Sequence, residues 1–216
     1  MSYITTDYVE TYIKTLLPQK KGPLKALRLE AEERRIPIIS EEVQNYMEIM
    51  IQSHKIEKIL EIGTAIGYSS SVFAEAMGET GKIMTVERDV ERVLEAKRHH
   101  ADLGYAKQIS VIAGDAQEVA ANLTQTYDLI FLDGGKGHYI HLLEDLLKHL
   151  KIGGYLVSDN VLYKGMVAND DLVIRRKITI VKRMRAYLEA LSKHTQLKTS
   201  VLPMGDGLAI SYKTGE

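Results

Sequence analysis

The stretch Ile59-Leu-Glu61-Ile-Gly63-Thr-Ala-Ile-Gly67-Tyr-Ser69-Ser70 decides the fold. An apolar run ends in a turn bearing two glycines, and the residues after the turn open a helix. Gly63 and Gly67 permit close backbone approach to a ligand, although a plain tight turn would use them too. Further apolar runs rich in Ile and Val, at residues 83–86, 109–112, 129–132 and 155–157, alternate with longer stretches of helical spacing. That alternation predicts parallel strands joined by crossover helices. The runs are continuous, which fits strands covered by helices on both faces, so the expected class is α/β with a doubly wound sheet. Toward the C-terminus, residues 199–202 and 208–212 are short strand candidates joined by Pro203-Met-Gly-Asp-Gly207, so the sheet is expected to end with an antiparallel strand. Extra N-terminal helices occupy about the first 55 residues. Residues 173–191 read as the clearest amphipathic helix, with Val173, Ile174, Ile178, Val181, Met184, Leu188 and Leu191 on one face.

A chain of 216 residues is expected to form a single domain, 1–216, with 1–55 as a helical extension. Its 45% apolar and 6% aromatic content and mean hydropathy of -0.14 belong to an ordinary globular protein. No run approaches the roughly 18 apolar residues of a membrane span, and acids stand near the N-terminus where a signal peptide carries bases. A cytoplasmic location without membrane contact is the expectation. Zero cysteines exclude a disulfide framework, a thiolate zinc site and a cysteine nucleophile. A net charge of -1 gives no general attraction to polyanions, so any such binding must come from local clusters.

The glycine turn departs from the dinucleotide pattern G-x-G-x-x-G, because Ala65 stands at the middle position. Glu87 closes the second strand, at about the distance where an acid meets ribose hydroxyls in such folds; a solvated loop acid is the plainer alternative. Gly114-Asp115-Ala116 follows the third strand, placing another acid at the sheet edge where open α/β folds bind ligands. The fourth strand ends in Asp133-Gly-Gly-Lys136 and the fifth in Asp159-Asn160. Asp133, Asp159 and Asn160 thus supply oxygen ligands at neighbouring strand ends, a set suited to magnesium or calcium. A lone Asp after a strand is more often a cap or turn residue.

In these five segments, their order and their spacing, the chain resembles the cation-dependent class I O-methyltransferases of the catechol and caffeoyl-CoA type, from about Ile38 to the C-terminus. The resemblance implies a Rossmann-like class I methyltransferase sheet. It implies that Glu61, Gly63, Ser69, Glu87, Asp115, Ala116 and Asp133 line an S-adenosylmethionine site. It also implies that Asp133, Asp159 and Asn160 hold magnesium or another divalent cation, and that Lys136 is the base beside the substrate hydroxyl. A homodimer with N-terminal helices near its interface is a further implication.

The substrate is less constrained. Gly134-Gly135 replaces the bulkier residues usual in the family, the chain has no tryptophan, and Tyr163 stands where small-phenol enzymes usually place one. Two basic stretches could bind phosphates, or could be ordinary solvated helix faces. Lys25, Arg28, Arg34 and Arg35 belong to the first, and Arg175, Arg176, Lys182 and Arg183 to the second. Within the family the chain resembles the bacterial tRNA 5-hydroxyuridine methyltransferases, which make 5-methoxyuridine at the wobble position. Three readings stay open: a tRNA-modifying O-methyltransferase, a small-molecule catechol or hydroxycinnamoyl-CoA O-methyltransferase, and a non-catalytic RNA-binding protein with a methyltransferase fold.

Overall fold

The structure is a computed structural model that describes residues 4–215; the first three residues of the N-terminal stretch and Glu216 lie outside it. Three helices precede the sheet: α1 (Asp7–Leu16), α2 (Gly22–Glu33) and α3 (Glu41–Ser53). Strands and helices then alternate as β1 (Lys58–Ile62), α4 (Tyr68–Met77), β2 (Lys82–Glu87), α5 (Val90–Asp102), β3 (Ile109–Ala113) and α6 (Ala116–Ala121). They continue through β4 (Tyr127–Leu132), α7 (Tyr139–Lys148), β5 (Leu150–Ser158), α8 (Ile178–Lys193), β6 (Leu197–Leu202) and β7 (Leu208–Lys213). Polar caps set several helix starts: Ser40 accepts from the Val43 N–H, and Asp89 from the N–H groups of Glu91 and Arg92.

The sheet has the strand order β3-β2-β1-β4-β5-β7-β6. Strands β1 to β5 run parallel, and β7 pairs antiparallel with both β5 and β6, as the C-terminal strand candidates predict. Chain progress reverses between β1 and β4, which opens a crevice at the carboxyl ends of those two strands. Two cores lie on opposite faces. One joins Leu24 and Leu27 of α2, Met47 of α3 and Phe73 of α4 to Ile59 and Phe131 of the sheet. The other joins Tyr139 and Leu143 of α7 and Met184, Tyr187 and Leu191 of α8 to Ile130 and Leu156.

The helix read over 173–191 is shorter than its apolar spacing predicts. Its first two residues, Val173 and Ile174, are in extended backbone and the next three form a single 3-10 turn, Arg175–Lys177, while another such turn, Asp170–Leu172, precedes them. Extended residues break the helical period, so Ile174 and Ile178 are 45% and 39% exposed and the buried stripe begins at Val181. Among the described residues no helix is long and apolar enough to cross a membrane.

Candidate active site

The turn after β1 is laced onto the end of β2. Gly63 and Thr64 N–H groups donate to the Val86 carbonyl at 3.0 and 3.3 Å, and the Ala65 N–H donates to the Glu87 carboxylate at 3.1 Å. Gly63 has φ +107, and a Cβ there would stand 2.7 Å from the Gly134 nitrogen. The turns after β1 and β4 therefore touch backbone to backbone at the crevice. This gives Gly134 its physical reason, since a Cβ on it would lie 2.8 Å from the Gly63 Cα.

Glu61 is fully buried, and the hydroxyls of Ser69 and Thr85 donate to its carboxylate. Burial pushes its carboxyl up to about 7; the two hydroxyls pull it back, while Asp133 adds to the rise. Ser69, 7% exposed, meets Glu61 directly, so this pair braces the start of α4 beneath the turn. Glu87 is half-buried and also accepts from the Asp89 N–H at 3.0 Å. At the next strand end Gly114 N–H donates to the Glu87 carbonyl at 3.0 Å, which sets exposed Asp115 and half-buried Ala116 beside it. Asp115 caps α6 by accepting from the Gln117 N–H at 2.8 Å.

The same stitching continues on the other side of the crevice. Asp133 N–H donates to the Ile62 carbonyl at 2.9 Å, and Asp159 N–H to the Leu132 carbonyl at 2.8 Å. Asp159 is 2% exposed. Burial raises both carboxyls above the usual carboxylate range, and Asp133 drives Asp159 up further. Lys136, whose Nζ is 3.9 Å from Asp133 Oδ1, opposes both shifts. Asn160 sits in left-handed backbone at φ 59, and its N–H donates to Asp159 Oδ1 at 2.6 Å. Two mutually repelling, largely buried carboxyls with one nearby ammonium, followed in the chain by the amide residue Asn160, are donors of the chemical type a hard divalent cation takes.

Asp206 belongs to this neighbourhood, and sequence reasoning missed it. It lies in the β6–β7 connection, where its carboxylate accepts from the Lys164 N–H and adds to the upward push on Asp159. Val161 and Leu162 N–H groups donate to the carbonyls of Gly207 and Asp206 at 2.9 and 3.0 Å, tying the hairpin turn to the segment after Asn160. The Pro203-to-Gly207 run signalled a turn, and nothing local in it marked an approach to Asp159.

The basic residues divide. Arg28 is a structural residue, which corrects its reading as a phosphate contact. Its guanidinium donates to Tyr68 Oη, the Ile39 carbonyl and Gln44 Oε1 at 2.9, 3.0 and 3.0 Å, and stacks on the Tyr68 ring. Arg34 bridges Glu30 and Glu95, so the Glu30, Glu95 and His99 cluster already holds a cation of its own. Lys25 and Arg35 are exposed, but α2 packs on one face of the sheet and α8 on the other, so the two basic stretches are not one surface. Arg175, Arg176, Lys182 and Arg183 are exposed on the α8 side. Arg183 also reaches the Lys136 turn, donating to the Gly137 carbonyl at 3.2 Å. His138 is exposed at the end of that turn.

Residues 19–214 match the family model described as O-methyltransferase. A catechol O-methyltransferase of Niastella koreensis is 26% identical over 216 residues, covering 95% of this chain and 96% of that protein. A Staphylococcus aureus structure provisionally named a caffeoyl-CoA O-methyltransferase superposes with TM-score 0.89 at 33% identity, covering 96% of this chain and all of that one. An SAH-bound methyltransferase of Podospora anserina shares the fold, with TM-score 0.87 at 22% identity over 97% of this chain and 95% of that one.

The acid cluster gives stability a definite pH dependence. Glu61, Asp133 and Asp159 have raised carboxyls, so the folded chain binds more protons than the unfolded one between the ordinary carboxylate range and the raised values. Unfolding free energy then falls as pH climbs through that window. In the absence of divalent cations, Tm by calorimetry should drop by roughly 5–10 °C between pH 5 and pH 8. Glu61→Gln should flatten the part of the decline that approaches about pH 7. A Tm that is level or rises over this range would contradict the electrostatic description.

Proposed function

The chain belongs to the O-methyltransferase family, and from that premise we propose that it is a cation-assisted enzyme that moves the methyl group of S-adenosylmethionine onto a substrate hydroxyl. The observation that carries this is the pair Asp133 and Asp159, held by main-chain bonds at adjacent strand ends with Lys136 Nζ 3.9 Å from Asp133. S-adenosylmethionine supplies a methyl group on a positively charged sulfur. A divalent cation held by Asp133, Asp159 and Asn160 supplies Lewis acidity toward a substrate hydroxyl.

The chain's residues then have distinct tasks. The Gly63 turn lets the cofactor approach the backbone, Glu87 accepts from its ribose hydroxyls, and Asp115 and Ala116 border it from the next strand end. Glu61 and Ser69 brace that turn from below. As the neutral amine, Lys136 takes the hydroxyl proton at Nζ, and the ammonium so formed steadies the charge left on oxygen. Transfer breaks one sulfur–carbon bond and forms one oxygen–carbon bond, removing opposite charges from both reactants. Catalysis rests mainly on alignment.

For the substrate we infer 5-hydroxyuridine at the wobble position of tRNA, in the cytoplasm, with 5-methoxyuridine as product. Its 5-oxygen and 4-carbonyl oxygen offer two neighbouring donors, as a catechol does. The support is the exposed basic group Arg175, Arg176, Lys182 and Arg183, because Arg183 touches the very turn that carries Lys136. The α2 bases add nothing to that surface. A small catechol or caffeoyl-CoA substrate fits the two-oxygen site equally well, and the names of the relatives favour it. We also infer a homodimer. Helix α1 buries none of its residues while Tyr8, Tyr12 and Leu16 are 75%, 65% and 65% exposed, an apolar side that a second copy would cover.

Asp159→Ala should abolish magnesium-stimulated transfer yet leave S-adenosylmethionine binding largely intact; unchanged turnover would sink the cation site. Labelled methyl transfer to hydroxyuridine-containing tRNA and to a catechol, each with and without magnesium, separates the substrates. Changing Arg175, Arg176 and Arg183 together to Glu should lower tRNA methylation by about tenfold or more and reduce its salt dependence, with catechol transfer unaffected. Normal tRNA methylation by that variant at physiological salt would remove the support for RNA. Light scattering at micromolar concentration should give twice the chain mass, and a monomer would refute the dimer.

A further inference from the structure

Beneath the two strand ends lies a buried hydroxyl that the reading above does not use. Tyr139 opens α7 three residues after Lys136, and it is fully buried. Its hydroxyl donates to the Leu132 carbonyl at 3.0 Å, with a longer contact to the Asp159 carbonyl at 3.4 Å. Leu132 immediately precedes Asp133, so one oxygen spans the main chain of both strands that carry the acids. The Leu132 carbonyl also accepts the Asp159 N–H at 2.8 Å, so β4 and β5 are tied together at the residues where the acids begin. The Tyr139 ring is fixed from behind by an edge-on contact with Tyr187, centroids 5.5 Å apart. Tyr187 in turn shares a hydrogen bond of 2.6 Å with Ser158.

We propose that Tyr139 is a positioning residue that sets the spacing of Asp133 and Asp159 for the cation and couples that spacing to the turn carrying Lys136. The inference rests on the cation reading of those acids. Its physical content is that two carboxyls that repel one another inside the protein need a fixed separation to share an ion. Strand ends, unlike strand middles, have no following ladder bonds to fix it. Both of its partners are carbonyl oxygens, which only accept, so the phenol is the donor. Side chains that orient metal ligands from behind commonly alter metal affinity by about 10- to 100-fold when removed.

The test uses the intact chain and its variants Tyr139→Phe and Tyr187→Phe, each lacking one buried oxygen. Magnesium binding is read by calorimetry, and manganese binding by electron paramagnetic resonance. Tyr139→Phe should weaken binding of either ion about tenfold, while S-adenosylmethionine affinity stays within about twofold. The magnesium concentration for half-maximal transfer should rise by the same factor as the magnesium dissociation constant, with most turnover recovered at saturation. Tyr187→Phe removes the Ser158 bond in the same core and should lower Tm without moving the ion affinity. Parental ion affinity in Tyr139→Phe, or equal losses in both variants, would overturn the positioning role. If the parent chain binds neither ion, the cation reading itself fails and this inference with it, a result distinguishable from a Tyr139→Phe effect of zero on a chain that does bind.

Discussion

The contact between Gly63 and Gly134 is the constraint on which the rest of the site depends. These residues lie at the start of the turns after β1 and β4, the two neighbouring strands from which the chain winds outward in opposite directions. With a Cβ on either, backbone atoms would approach to 2.7 or 2.8 Å, so a side chain would force the two turns apart. Their closeness brings the Glu61 side of the crevice against the Asp133 side. The glycine turn after β1 and the acid-bearing ends of β4 and β5 can therefore face one small volume.

Within that volume the electrostatics are deliberately unbalanced. Glu61 is buried but receives two hydroxyl bonds, and its role is to brace the turn. Asp133 and Asp159 have less local relief, and their charges work against each other with Lys136 as the nearby ammonium. An arrangement of this kind is costly in isolation and becomes favourable when a positive ion enters. The Glu30, Glu95 and His99 cluster offers the contrast, because Arg34 already bridges its carboxylates. Charge type alone would not distinguish the two clusters; the position of the compensating cation does.

The same reasoning separates the basic residues. Arg28 stacks on Tyr68 and donates to oxygens of Tyr68, Ile39 and Gln44, so its charge stabilises the N-terminal helices against α4. Arg183 lies on the opposite side of the sheet and touches the Lys136 turn. Counting bases along the chain treats these two as equals, whereas burial and partners tie one into the packing of the N-terminal helices on α4 and leave the other exposed beside the Lys136 turn.

The sequence by itself determined the strand-and-helix order, the parallel sheet with its antiparallel end, and the residues at each strand terminus. Each of these follows from local signals: apolar runs, glycine turns and the acid that closes a strand. It could not determine where α8 begins, because apolar spacing persists through Val173 and Ile174 whether or not the backbone is helical. Nor could it reveal Asp206 near Asp159, the partners of Arg28, or the two carbonyls beneath Tyr139. Those depend on contacts between segments separated by 7 to 47 positions. Tertiary packing alone decides such contacts, since chain spacing fixes which residues share an element but not which elements meet.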